Sequence, residues 1–237
     1  METVLFKTRS GSHLYGTNTP ESDEDFIEVY LKEPEWYIGL TAVDDPKGKM
    51  TVSDDVDTTR FEFRHFLRLC LAYNPNVVEV LQSPDIVEQS EAAAILHANR
   101  HRFISKRSIK ALVGYCVRMR ADVEEPWRTG KQGTKRKALI EKHGYDTKAA
   151  AHAWRLACTA ASLAESGVHI VDFTKYPLRL DLMRDIRNGF YMKDHLIGHI
   201  QHLIDIADKH AGNLPDEPDR EWVNQFCIET LRRHIAQ

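Results

Sequence analysis

The sequence predicts an α+β protein, with a small mixed sheet near the start of the chain and a helical domain after it. In the first third, short runs of β-branched and aromatic residues alternate with turn signals, as in strands. From Phe66 the apolar residues take helical spacing, and beyond about Pro84 this spacing continues almost to the end. We therefore predict a sheet-containing domain at 1–85 and a helical domain at 86–237.

The strands and helices can be placed from the same patterns. Strands are expected at Thr3 to Thr8, Asp25 to Leu31, Lys49 to Val52 and Asp57 to Phe63, with a loop between the first two. After a helix from Phe66 to Tyr73, further helices are expected near 88–98, 106–120, 134–143, 147–166, 178–188, 192–210 and 219–235. The last helix carries apolar residues that bury against the domain or a second subunit, so the oligomeric state stays open.

Composition narrows the class of protein. The formal net charge of −3 and the pI near 6.5 give no overall basic field, so a polyanionic partner would need a local patch. The four cysteines lie far apart in apolar contexts, which is typical of free thiols in a reducing interior. No apolar run is long enough to span a bilayer, and no signal peptide is evident. We predict a cytoplasmic protein.

The segment from Gly11 to Asp25 carries the chemical signal. Glycines at 11 and 16 allow backbone N–H groups to approach a phosphate closely, and the Ser12 hydroxyl can donate to the same oxygens. This pattern is typical of an anion-binding turn and predicts that Gly11 and Ser12 bind a nucleotide.

Asp23 and Asp25 follow this turn at the entrance to the second strand. Because side chains two residues apart in a strand point to the same face, the two carboxylates would lie side by side. Oxygen ligands of this kind, together with substrate phosphates, are what Mg²⁺ prefers. An acidic turn that only solvates the strand is the alternative, but such a turn does not require the preceding Gly-Ser pair.

These residues resemble the Gly-Ser and Asp-x-Asp signature of the DNA polymerase beta nucleotidyltransferase superfamily. The run Gly-Ser-His-Leu-Tyr-Gly-Thr-Asn-Thr-Pro-Glu-Ser-Asp-Glu-Asp at 11–25 is similar to the RlaP nucleotidyltransferases, which are associated with RNA repair. Two later stretches resemble the same group: Phe66 to Leu69 leading to 74–81, and Tyr145 to Lys148 leading to His152 and Arg155-Leu156. The resemblance covers roughly residues 5–190. It implies a polymerase-beta-like nucleotidyltransferase core that uses NTP, two divalent ions (Mg²⁺ or Mn²⁺) and a third carboxylate.

The identity of that third carboxylate is open at this stage. Asp57 best fits an acidic residue that begins a strand beside the Asp23/Asp25 strand, while Asp55 and Glu62 are the alternatives. The resemblance implies that it shares a metal with the pair and accepts or orients the proton of the attacking hydroxyl. An acidic run that solvates an edge strand is the other interpretation.

Two basic regions are candidates for binding phosphates. Lys148, His152 and Arg155 have the spacing i, i+4 and i+7, so they share one helix face, and the resemblance favours contact with a triphosphate over plain surface. The stretch from Arg128 to Lys137 includes Lys131, Lys135, Arg136 and Lys137, with Trp127 at its edge. It suits either an RNA backbone or a solvated loop.

We therefore expect an enzyme that transfers a nucleoside monophosphate from NTP to a hydroxyl acceptor and releases pyrophosphate. The association with RNA repair makes an RNA 3′ end, in particular that of a tRNA, the expected acceptor. Nucleotidylation (AMPylation) of a protein or small molecule is one alternative, and an inactive nucleotide- or RNA-binding module is another. Nothing in the sequence specifies the base, the acceptor or the number of additions.

Overall fold

The computed structural model describes residues 2–39, 49–53, 56–127 and 133–236, and the side chains of 49–53, 56 and 135 fall outside that description. By its contacts the chain forms two compact units, Met1–Ile104 with Glu217–Gln237, and Ser105–Asp216. The division after residue 85 stays a prediction. The α+β class is confirmed, since the first unit contains a sheet with helices and the helices of the second unit form a layer of their own.

The sheet of the first unit orders its described strands β3-β4-β2-β1-β5. The strands are β1 (Thr3–Arg9), β2 (Glu24–Leu31), β3 (Lys49–Ser53), β4 (Val56–Glu62) and β5 (Ile86–Gln89). Strand β2 is parallel to β4, while the β1–β2, β1–β5 and β3–β4 pairs are antiparallel. The four predicted strands are confirmed. The prediction of a helix from residue 88 was wrong at its start, because 86–89 pair with β1 instead.

The helices of the first unit pack against this sheet or against one another. They are α1 (Gly11–Tyr15), α2 (Pro34–Ile38), α3 (Phe63–Leu71), α4 (Pro75–Val78), α5 (Glu91–Ala98) and α11 (Arg220–Ile235). Phe6 of β1 and Phe66 of α3 are fully buried, with ring centroids 5.4 Å apart in an edge-to-face contact. Strand β1, which lies between β2 and β5 in the sheet, therefore packs against this aromatic core, and it ends just before the predicted nucleotide-binding turn.

Helix α11 packs in the first unit although it follows the whole second unit in sequence. Its Phe226 ring lies 5.9 Å from Phe63 of α3. Near its end, His234 Nε2 donates a hydrogen bond to the Lys32 carbonyl oxygen at 2.7 Å. The apolar face of this helix is thus covered, at least in part, by its own chain.

The second unit is built around one alanine-rich helix. It contains α6 (Lys106–Glu124), α7 (Thr134–His143), α8 (Thr147–Ser166), α9 (Pro177–Arg187) and α10 (Lys193–His210). Helix α8 packs against α6, α9 and α10, and it is buried over most of its length because small alanine side chains allow close approach. The predicted helices of this region are confirmed. Among the described residues, none of the helices is sufficiently long and apolar to cross a bilayer.

Candidate active site

The Gly11-Ser12 turn lies directly against the carboxylate of Asp25. Strand β1 ends at Arg9, Ser10 is extended, and Gly11 begins α1 with a φ of +61°. A Cβ at position 11 would lie 2.3 Å from Asp25 Oδ2, so the space that a side chain would need is already filled. The Ser10 N–H donates to the Asp25 carbonyl oxygen at 2.8 Å, which ties the turn to β2. Only glycine fits here without displacing Asp25.

Residues 11–15 form a short helix where the sequence predicted a loop. Five residues are too few to show a helical period, which explains why the pattern was missed. Gly16 ends α1 in the left-handed region, with a φ of 73°. The Ser12 carbonyl oxygen accepts the Thr17 N–H at 3.0 Å, so Ser12 is held in the first turn of this helix.

The register of the sheet brings two of the predicted carboxylates side by side. Asp25 on β2 is the direct partner of Asp57 on β4 in the parallel pair. Adjacent strands lie roughly 4.8 Å apart, and paired residues project to the same face. Asp23 lies two residues before Asp25 and is exposed, whereas Asp25 and Asp57 are half-buried. The strand arrangement therefore supports Asp57 as the residue beside the Asp-x-Asp pair.

Of the two alternatives for the third carboxylate, Asp55 and Glu62, the structure describes only Glu62. Asp55 lies outside the described residues. Glu62 is buried at the far end of β4, where it pairs with Tyr30 rather than with the aspartates. Its carboxylate caps α3 by accepting the N–H groups of Arg64 and His65, both at 3.0 Å, and accepts the Tyr37 hydroxyl at 2.9 Å. Glu62 is therefore occupied as a helix cap.

Replacing Glu62 with alanine is expected to lower the free energy of unfolding by about 2 kcal/mol, since the helix loses its N-cap and the Tyr37 hydroxyl loses its acceptor. Urea denaturation followed by circular dichroism would measure this. Glu88→Ala is the control, because Glu88 is exposed on the edge strand β5. Unchanged stability together with lost catalysis would instead place Glu62 among the catalytic carboxylates.

The donor chemistry of the aspartates suits a hard divalent ion, because carboxylate oxygens are the ligands that Mg²⁺ and Mn²⁺ take. The positions of Asp25 and Asp57 also fit, since β2 and β4 hold their backbones in register. In the described part of the chain, however, no three His, Cys, Asp or Glu side chains are gathered closely enough to hold an ion. Asp25 and Asp57 thus offer a pair of carboxylates, and Mg²⁺ is commonly held by one or two carboxylates together with the phosphates of its substrate.

Three further residues, Tyr15, Glu79 and His13, have notable contacts in or beside the turn and were not singled out by sequence reasoning. The Tyr15 hydroxyl at the end of α1 donates to Glu79 Oε1, and Glu79 is only 4% exposed. Glu79 lies in the 74–81 stretch that carries part of the family resemblance, which was the available signal. His13, next to Ser12, has a buried Nε2 with no hydrogen-bond partner among the described residues. An unsatisfied buried ring nitrogen is expected to bind water or a ligand atom.

Lys148, His152 and Arg155 lie on α8 in the second unit, and they differ in exposure. Lys148 is exposed, His152 is half-buried and Arg155 is 3% exposed. Arg155 Nη2 lies 3.1 Å from His152 Nε2. Burial, and then the charges of Arg155 and Lys148, lower the pKa of His152 to about 3. The His152 imidazole is therefore uncharged at neutral pH, and Lys148 and Arg155 carry the positive charge of these three residues.

The predicted RNA-binding stretch is only partly described. Lys131 lies outside the described residues, as does the side chain of Lys135. Arg136 forms an ion pair with Asp146, which caps α8. Arg136 Nη2 also lies 3.9 Å from Asp122 Oδ2. Lys137 is exposed on α7. Of the described side chains, Lys137 is thus placed to meet solvent, while Arg136 is engaged within its own unit.

Comparison with known proteins identifies the family. A model of the RlaP family, described as the RNA repair pathway DNA polymerase beta family, matches residues 2–237. The chain belongs to the RlaP family. This membership places it among polymerase-beta nucleotidyltransferases and confirms the resemblance of the Gly11 to Asp25 segment. Nucleotidyltransferases of this superfamily generally use divalent metal ions.

Individual relatives of this RlaP protein are distant. An uncharacterized 38.9 kDa protein of enterobacteria phage T4, from the nrdC-mobD intergenic region, is 31% identical over 59% of this chain and 42% of its own length. The uncharacterized protein YcgL of Bacillus subtilis is 31% identical over 35% of this chain and 32% of its own. The chain therefore spans less than half the length of these two proteins.

One solved structure shows a weak likeness. A nucleotidyltransferase-like protein from Exiguobacterium sibiricum aligns over 88% of this chain and 72% of its own, with 11% identity and a TM-score of 0.38. A likeness this distant supports no conclusion about the activity of the RlaP chain.

Proposed function

We propose that this RlaP protein transfers a nucleoside monophosphate from NTP to a hydroxyl at an RNA 3′ end, such as that of a tRNA, and releases pyrophosphate. The observation that carries the proposal is the pairing of Asp25 with Asp57 on parallel strands beside the Gly11 turn. The RNA repair description of the family supports RNA as the acceptor class.

The turn is the proposed binding site for the phosphates of NTP. Gly11 lacks a Cβ, so its backbone can approach a phosphate, and the Ser12 hydroxyl can donate to the same oxygens. The unsatisfied Nε2 of His13 supports this placement, because a ligand atom or water would complete its hydrogen bonding. Tyr15 and Glu79 hold the other end of α1, which keeps the turn in place when the nucleotide binds.

We propose that Asp23, Asp25 and Asp57 hold two divalent ions, Mg²⁺ or Mn²⁺. When bound, such ions neutralise triphosphate charge and make a hydroxyl a better nucleophile. Asp57 has the further proposed role of accepting or orienting the proton of the acceptor hydroxyl. The half-buried position of Asp57 on β4 supports this role, because a strand residue is held more rigidly than one in a loop.

The remaining proposed contacts rest on the family resemblance. Lys148 and Arg155 would contact the triphosphate as cations, and His152 would act as an uncharged hydrogen-bonding group. Lys131, Lys135, Arg136 and Lys137 are retained as candidate contacts to RNA. A cytoplasmic location also remains a proposal, made from the cysteine pattern.

The test is pyrophosphate release with each of the four NTPs, Mg²⁺ or Mn²⁺, and total cellular RNA. Wild type would be compared with the Asp23→Asn/Asp25→Asn double variant and with Glu88→Gln, which removes an exposed carboxylate from the same sheet. We expect release that requires metal, RNA and both aspartates, and that Glu88→Gln leaves unchanged. Release that the double variant retains would refute the assignment of the catalytic site.

Two other functions are separated by the same assay. Release that depends on added protein or metabolites, with label transferred to them from radiolabelled NTP, would identify nucleotidylation of those acceptors. NTP binding in the absence of any release would identify an inactive binding module. The family does not itself choose among acceptors, so the labelled product decides.

A further inference from the structure

One part of the chain is strongly basic despite the near-neutral whole. The protein has 32 Lys and Arg against 35 Asp and Glu. The 22 residues from 99 to 120 contain seven Lys and Arg and no Asp or Glu. A local excess of this size is uncommon in a chain whose charges otherwise nearly balance, and it supplies the kind of patch that a polyanion requires.

Four of these seven cations are already engaged within their own units. Arg100 Nε donates to Gln82 Oε1 at 3.0 Å, and Arg102 Nη1 lies 2.6 Å from Asp219 Oδ2. Lys106 Nζ lies 2.6 Å from Asp216 Oδ1, and Arg120 Nε lies 3.2 Å from Glu124 Oε1. These contacts stabilise the fold locally, so they are not the source of a binding surface.

The other three cations, Arg107, Lys110 and Arg118, are exposed on helix α6. At 100° per residue they fall within roughly 80° of one another around the helix, and they extend over about 16 Å of its length. Within the described residues, none of the three forms an ion pair. We call this face of α6 the basic stripe.

The positions between the cations of the basic stripe have small side chains. Ala111, Gly114 and Ala121 lie between or beside the cations on the same face. A Cβ added to Gly114 would meet no atom within 4 Å, so this position opens to solvent. Small residues between cations allow an extended backbone to lie close to the helix while the long side chains reach its phosphates.

The stripe also leads toward the predicted nucleotide-binding residues of the same unit. The Arg118 guanidinium lies 5.7 Å from the Tyr115 ring centroid. The Tyr115 ring in turn lies 5.6 Å from that of His152 on α8. Arg155 Nη2 contacts His152 directly. The cations of α6 and the candidate triphosphate contacts of α8 are therefore joined by a chain of neighbouring side chains.

We propose that the basic stripe, formed by Arg107, Lys110 and Arg118, binds the phosphate backbone of the acceptor RNA. The proposal rests on the proposed function for the nature of the acceptor, while the binding itself depends only on the stripe. A contact of this kind carries no base specificity, because it reads phosphates rather than base edges. It is distinct from the predicted 131–137 stretch, which begins beyond the end of α6.

The test uses a matched pair at Gly114, Gly114→Glu and Gly114→Gln. Both side chains enter open space and both favour a helix more than glycine does, so both variants are expected to fold. Binding of a fluorescein-labelled single-stranded RNA would be followed by anisotropy at about 50 mM salt, without NTP. We expect Gly114→Glu to weaken binding roughly tenfold, because it places a negative charge between the cations, and Gly114→Gln to leave it nearly unchanged.

The triple variant Arg107→Ala/Lys110→Ala/Arg118→Ala gives an independent readout. We expect the slope of log binding constant against log salt concentration to fall by about 2, at about 0.7 per lost phosphate contact. Equal weakening by Gly114→Glu and Gly114→Gln, or an unchanged slope in the triple variant, would overturn the proposal. Competition by polyglutamate as effective as that by RNA would also overturn it, since the stripe would then fit an acidic protein.

The RNA-binding assay and the transfer assay test the two proposals independently. If RNA binding requires the basic stripe but no transfer depends on Asp25, the stripe is upheld as an RNA-binding surface and the proposed function is refuted. If the wild type does not bind RNA but transfers label to a protein or a metabolite, nucleotidyltransferase activity is upheld and the RNA-binding role of the basic stripe is refuted. Asp25→Asn is expected to abolish transfer and to leave RNA affinity unchanged, because the substitution leaves the three cations of the basic stripe unaltered.

Discussion

Replacing Asp57 with asparagine is expected to lower the rate of pyrophosphate release by about a hundredfold to a thousandfold. Loss of the negative charge would weaken metal binding beside Asp25 and remove the proposed proton acceptor. The amide is close in size to the carboxyl group, and Asp57 is only half-buried, so we expect the free energy of unfolding to change by less than about 1 kcal/mol. Steady-state release at saturating NTP and thermal unfolding of the same samples would measure both effects.

Glu88→Gln is the matched control, since it removes one carboxylate from an exposed position on the same sheet. It should retain full activity. If Asp57→Asn keeps its activity while Asp25→Asn does not, the third carboxylate lies elsewhere, and Asp55 becomes the next residue to test.

Replacing Gly11 with alanine is expected to lower transfer by about a hundredfold. The added Cβ would lie 2.3 Å from Asp25 Oδ2, so either the turn or the carboxylate has to move. A displacement near 1 Å at a reacting centre is enough for a loss of this size. The φ of +61° adds backbone strain of about 1 kcal/mol for a residue with a side chain. Pyrophosphate release and urea denaturation would be measured together.

Gly167→Ala separates the two causes. Gly167 ends α8 with a φ of +72°, and a Cβ there would meet no atom within 4 Å. It should therefore have the strain of Gly11→Ala without the contact to Asp25. We expect Gly167→Ala to lose stability through backbone strain, as Gly11→Ala does, but to keep full activity. Equal losses of activity would mean that overall destabilisation, and not the approach of Gly11 to Asp25, explains the effect.

Local signals in the sequence determined much of the helical unit. The predicted bounds 134–143 and 147–166 coincide with those of α7 and α8. Both helices have their ends marked by residues that act on neighbouring backbone: Asp146 caps the start of α8, and Gly144 and Gly167 end α7 and α8 in the left-handed region. Such signals act over a few residues, so they can be read without knowledge of the fold.

The sequence also determined which residues could carry the chemistry, but not how they are arranged. The Asp23 and Asp25 pair and the Gly11-Ser12 turn are adjacent in the chain, and a resemblance could be recognised from them. The pairing of Asp57 with Asp25 depends on two parallel strands, and 24 residues of chain separate the end of β2 at Leu31 from the start of β4 at Val56. No local pattern specifies a pairing over that separation. The tertiary structure pairs Asp57 with Asp25 and places Glu62 as a helix cap, which is why Asp57 is the proposed third carboxylate.

Three further features were decided only by tertiary structure. Residues 86–89 form a strand because β1 offers an edge for pairing, although the local pattern predicted a helix from about residue 88. Helix α11 packs with the sheet-containing unit because Phe63 and Lys32 provide its partners there. His152 is uncharged because the fold buries it beside Arg155. In each case the deciding free energy comes from strand pairing, apolar burial or desolvation by groups that are distant in sequence. A local sequence pattern does not specify which distant groups come into contact.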